Sequence, residues 1–204
     1  MNLSQVAASV TAAWRLFMRD PRAWDDIDVS TEGFFRSFAA ILLILPLNIM
    51  SDLFAMRLAQ ERPDVETTIP LEGGYGPGEM FFSTLVLGVE WLLFPVFAYF
   101  LLRVLGLTGR LVHYVVAHNW GRVIIELFSL PAILLFATGL VSVSVALDLL
   151  LVALGFSLYY RAQIARSALE TGWGLAVGIA LLEILLTIFF AVSVSQISSL
   201  WLRS

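Results

Sequence analysis

The chain has no cysteine and no lysine, and only 14% of its 204 residues are charged. Without cysteine there is no disulfide and no thiolate metal site. All 12 basic residues are arginine, which reads as the composition of a GC-rich bacterial genome and not as chemistry. A formal net charge of −4 argues against nucleic acid as a partner. The chain also lacks a Ser-His-Asp set, a G-x-S-x-G elbow and a nucleotide-binding glycine loop. The two histidines, His113 and His118, are five apart, off the spacing that puts two ligands on one helical face. Neither an enzyme, a cofactor nor a metal site is therefore expected. Residues 1–20 hold Arg15 and Arg19 but no compact apolar stretch ahead of a small-residue site, so no cleavable signal peptide is expected.

What the chain has in excess is apolar side chain. Fifty-nine per cent of residues are hydrophobic and the mean hydropathy is +0.88. A chain this short has too little interior to absorb that excess, so the remaining solvent is lipid. Lipid admits only helices or closed barrels, because every backbone N–H and C=O must be paired within the protein. The apolar runs are long and do not alternate, which favours helices. The expected fold is all-α: a bundle of about five spanning helices behind an N-terminal amphipathic segment. That segment covers residues 1–33 and the membrane domain 34–204, with spans near 34–56, 80–105, 111–138, 140–160 and 172–200.

Arginine placement orients the bundle. Nine arginines fall before the first span or in the connections after the second and fourth, against three on the opposite side. The positive-inside rule puts the N-terminus in the cytoplasm and the C-terminus in the periplasm of an inner membrane. Leu3, Val6, Val10, Trp14 and Phe17 recur at spacings of three and four, and Pro21 ends that pattern. Trp14 and Phe17 are thus candidates for a helix lying in the membrane interface. Its rival is a helix packed on the bundle.

Ionisable groups within the spans are the functional candidates, since each costs about 2.5–3.5 kcal/mol at mid-helix. Glu90, Glu126, Asp148 and Glu183 stand one to a helix on four spans and should face the bundle interior. Asn48 joins them as a polar partner. His118, Arg122 and Glu126 are four apart and share one face, making an Arg122–Glu126 pair and a helix-end network. His118 is expected at headgroup level with His113, Tyr114, Asn119 and Trp120. Glu90, Asp148 and Glu183 have no arginine nearby in sequence. Interhelical hydrogen bonding is the favoured role for these acids; the alternative is a proton or cation pathway. Pro46, Pro95 and Pro131 fall inside three spans. Gly174 and Gly178 form a small-residue face for close helix packing, within the bundle or in a homo-oligomer.

The amphipathic segment ending in Trp14-Arg15-Leu16-Phe17-Met18-Arg19-Asp20-Pro21, followed by a polar link and five spans, resembles the bacterial branch of the Yip1-like membrane proteins. The Asp-Leu-x-Gly-Pro-type motif of the eukaryotic members is absent, so no site residue carries over. The resemblance implies a non-enzymatic scaffold, partner-binding or membrane-organising role. The lipid bilayer and a protein partner are then the expected contacts. A small proton- or cation-coupled transporter using the intramembrane carboxylates is the rival.

Overall fold

A computed structural model describes residues 2–61 and 77–202. The turn-rich Gly73–Gly78 stretch lies mostly outside them, as do Arg62 and Arg203. Among the described residues the chain is all helical, without strands. Five helices are long and apolar enough to cross a membrane: Thr31–Glu61, Pro77–Val104, Thr108–Ala137, Val143–Leu169 and Trp173–Val194. The protein is a multi-pass membrane bundle.

The N-terminal helix α1 (Leu3–Phe17) is started by a capping box. The Asn2 side chain accepts from the Gln5 N–H, and the Gln5 side chain accepts from the Asn2 N–H. It ends in a Schellman turn. The Arg19 N–H reaches the Leu16 carbonyl at 3.1 Å and the Asp20 N–H reaches that of Arg15 at 2.9 Å. Ala12, Ala13 and Leu16 are buried against the bundle. The Tyr160 hydroxyl donates to the Ala13 carbonyl, fastening α1 to the membrane domain.

The first span is a short helix α2 (Thr31–Ser37), one 3₁₀ turn and a long helix α3 (Ile41–Glu61). Ser30 caps α2 by accepting from the Gly33 N–H at 3.0 Å. A Cβ on Gly33 would stand 2.1 Å from the Asp28 carbonyl oxygen, and backbone cannot swing aside as a side-chain tip can. Gly33→Ala is therefore expected to lower stability by about 1–3 kcal/mol through overpacking. Thermal unfolding of the detergent-solubilised chain checks this; an unchanged midpoint would mean the segment is loose.

The remaining spans are α4 (Pro77–Val104), α5 (Leu111–Ala137), α6 (Val143–Leu169) and α7 (Trp173–Leu202). Pro46, Pro95 and Pro131 all lie inside continuous helices. Helix α5 is the centre: half of its most apolar window is buried, against about a quarter in the other spans. It packs on α1, α2, α3, α4 and α6. This explains its low apolarity, because a helix enclosed by protein can carry polar groups that meet other polar groups. The others show their apolar side chains outward, with Leu92 and Val96 on α4, Leu151 and Val152 on α6, and Leu185 and Phe189 on α7 exposed to the lipid.

Helices α5 and α6 form a tight hairpin. Gly139, at φ +76°, makes the left-handed turn, and Ser142 caps α6. From α3 the Arg57 guanidinium donates to the Phe136 and Ala137 carbonyls at 2.6 and 3.0 Å, neutralising the negative end of α5. The boundary furthest from expectation is the end of the fourth span. Helix α6 runs nine residues beyond Tyr160, to Leu169, because Ala162, Ala165 and Ala168 extend a buried small-residue face past the apolar run.

Candidate functional site

The polar groups of four spans meet on α5. Arg122 stands at the junction. Its guanidinium donates to Glu90 of α4 at 3.0 Å, lies 3.8 Å from Glu126 one turn along, and sits over the Trp91 ring at 5.1 Å. Arg–carboxylate and Arg–indole contacts both suit a planar, weakly hydrated cation in a low-dielectric site.

A second ion pair lies beside it. Arg161 of α6 donates to Glu183 of α7 at 3.0 Å and to the Ser157 hydroxyl at 3.2 Å. The Glu183 side chain is 2% exposed and that of Arg161 11%. The Tyr114 hydroxyl donates to the other oxygen of Glu183. His118 Nδ1 lies 3.5 Å from the same carboxylate, and its ring stacks on Phe94 with centroids 3.4 Å apart. Glu183 therefore has an arginine, a phenol and an imidazole around it, contributed by two other helices.

Two cavities flank this network. One, of about 120 Å³, is lined by Glu90, His118, Arg122, Arg161, Glu183 and Thr187, with Phe94 and Phe190 as apolar wall. The other, of about 200 Å³, is lined by Asn48, Asp52, Ser83, Glu90 and Arg122. Each has room and polar partners for several waters. The Glu90–Arg122 pair borders both. In the second cavity the Asn48 amide donates to the Ser83 hydroxyl at 2.7 Å and to Asp52 at 3.4 Å.

Several expected placements change. Asp148 does not face the interior; it is exposed on α6. The helix begins at Val143 and ends at Leu169, so Asp148 falls in its second turn and not at mid-span. Glu90 and Glu183 both have arginine partners, brought from other helices. Arg161, expected in a cytoplasmic connection, is inside the bundle. His118, Tyr114, Asn119 and Trp120 are packed within it and not spread at its rim. Asn119 donates to the Ser37 hydroxyl at 2.9 Å, tying α5 to α2.

Gly174 is exposed and Gly178 partly so, and a Cβ on either would touch nothing within 4 Å. The close contact of α7 is made instead by Ala176, Ile179 and Ala180, the face that continues into Glu183. Phe17 turns into the bundle, 4.9 Å from Phe156 and 5.6 Å from Tyr160 between centroids. Trp14 remains 45% exposed. Asp52, Ser83, Tyr114 and Arg161 are members of the network that the pattern of acids did not mark. Asp52 carried a signal, since it lies four residues after Asn48 on one face of the first span.

No protein family, curated protein or solved structure matches the chain. The functional reading therefore stands on the network itself.

Proposed function

We propose that the chain is a non-enzymatic inner-membrane protein of a bacterium that passes protons or small cations through the α3–α7 network. The observation that carries this is the convergence of Glu90 and Glu183 on one otherwise apolar cavity with Arg122, Arg161 and His118, while the Tyr114 hydroxyl reaches Glu183. Interhelical glue needs one hydrogen bond per contact, typically about 0.6 kcal/mol, and serine or asparagine supplies it at lower desolvation cost. Among the described residues, three carboxylates (Glu90, Glu126 and Glu183) share two guanidiniums, Arg122 and Arg161. The surplus negative charge in a low-dielectric interior is relieved by a proton or a bound cation. Cavities on both sides of Glu90–Arg122 give such an ion somewhere to come from and somewhere to go.

Glu90→Gln and Glu183→Gln keep size and hydrogen bonding while removing the exchangeable charge. In proteoliposomes carrying a pH-sensitive dye, each is expected to reduce acid-driven flux by about tenfold or more, the usual weight of a lost proton carrier. Fluxes equal to wild type would remove the carboxylates from the pathway.

A membrane-organising role, as in the Yip1-like proteins the layout resembles, is the second reading. It is favoured by the exposed Leu3, Trp14 and Met18 on the α1 segment, which offers them at one end of the bundle. Setting aside Arg122 and Arg161, which lie in the network, seven arginines still gather at that end. They support a cytoplasmic N-terminus and a periplasmic C-terminus.

A further inference from the structure

At the end of the bundle where α1 stops, two arginines converge on one indole. The Arg19 guanidinium lies 5.1 Å from the Trp173 ring and that of Arg166 lies 5.0 Å from it. Trp173 in turn stacks on Tyr159, and the Arg19 Nε–H donates to the Tyr159 hydroxyl at 2.9 Å. Two like charges on one ring repel each other, and nearby carboxylates would ordinarily neutralise them. The adjacent acids are otherwise engaged. Asp20 receives the guanidinium and backbone N–H of Arg22, which hold its carboxyl below the usual carboxylate range. Glu170 is paired with Arg110. Among the described residues neither Arg19 nor Arg166 has a carboxylate partner.

The backbone adds an independent observation. Arg19 occupies the left-handed position of the α1 Schellman turn, at φ +59°. Glycine is the residue that fits there without strain. An arginine at such a position costs stability, and strain of this kind is retained where the side chain is needed. Around the pair, Met18, Trp173 and Leu175 are exposed apolar side chains, so the arginines sit beside a greasy rim and not in open solvent.

We propose that Arg19 and Arg166, braced on Trp173 and Tyr159, hold the phosphate group of an anionic phospholipid at this end of the bundle. Two guanidiniums supply the forked donors that phosphate oxygens accept, with the Trp173 and Tyr159 rings fixing their planes. The apolar rim takes the start of the acyl chains. Such a lipid would bridge the α1 terminus to the α6–α7 hairpin, fixing the N-terminal layer to the membrane.

The test uses the full-length protein in a neutral detergent. Retained lipid is counted by native mass spectrometry after adding phosphatidylglycerol, phosphatidylcholine or inorganic phosphate. Phosphatidylglycerol is expected to bind, and Arg19→Gly and Arg166→Gln each to weaken it by about tenfold or more, as loss of a charge-assisted hydrogen bond does. Phosphatidylcholine binding should not change. Arg19→Gly is the informative variant, because glycine suits the turn: its unfolding midpoint should equal or exceed wild type while lipid retention falls. Unchanged phosphatidylglycerol retention in both variants would overturn the proposal. So would an equal loss of phosphatidylcholine, which would make the site one for the phosphate of any phospholipid and not for an anionic one. Displacement of the lipid by millimolar inorganic phosphate would overturn the lipid assignment and make a soluble oxyanion the ligand.

Discussion

Arg161→Leu alone is expected to destabilise the bundle by about 3–5 kcal/mol, the cost of leaving a buried charge without its partner. The charge left behind is Glu183, whose side chain is almost fully enclosed. Tyr114 and His118 still contact it, but neither brings a fixed positive charge. Glu183→Leu should be comparably damaging, since it strands Arg161 with only the Ser157 hydroxyl. The double variant Arg161→Leu/Glu183→Leu removes both desolvation costs and is expected to recover most of the loss, as buried pairs replaced by apolar residues commonly do. Unfolding of the four proteins in one detergent gives the coupling directly. A double variant as unstable as the sum of the singles would mean that the two side chains do not interact in the folded bundle.

The second large effect concerns Arg122. Among the described residues its guanidinium is the one fixed positive charge bordering both cavities. At an effective dielectric constant of 20, a unit charge 4 Å from a permeating cation opposes it by about 4 kcal/mol. Water in the cavities raises the effective dielectric constant and reduces that opposition to on the order of 1–2 kcal/mol, or roughly tenfold in rate. Arg122→Ala also deletes a side chain that lines both cavities. It is therefore expected to raise cation or proton leak through reconstituted protein by about tenfold, while Glu90→Gln lowers coupled flux. The opposite signs of these two neighbours distinguish a pathway from general damage, which would move both the same way. Arg122→Ala giving no leak would mean that the cavities do not communicate through this junction.

The spans were legible in the sequence because lipid imposes a composition that few other environments tolerate. Pairs made within one helix were legible too. Arg122 with Glu126, and Asn48 with Asp52, follow from four-residue spacing. The pairs made between helices were not legible. Nothing in the spacing of Arg161 and Glu183 says that they touch; that follows from α6 and α7 folding back on each other at Glu170 to Gly172. Arg161 was further hidden because hydropathy falls after Tyr160 while the helix continues on alanines. Small residues sustain helix packing without raising hydropathy. Small-residue spacing fits Gly174–Gly178 and Ala176–Ala180 equally, and only the position of α6 selects the second. Asp148 illustrates the converse error, since misplacing a helix by a few residues moves an acid from its mouth to its middle.

The central claim is that the network conducts, and wild-type flux tests it most directly. Purified protein is reconstituted into vesicles holding a pH-sensitive dye, with the membrane potential clamped by a potassium ionophore, and an acid step is applied outside. The expected result is acidification clearly faster than in protein-free vesicles, scaling with the amount of protein and abolished in Glu90→Gln/Glu183→Gln. If neither a proton nor a sodium or potassium gradient gives a rate above that of empty vesicles, the network is interhelical glue and the pathway reading fails.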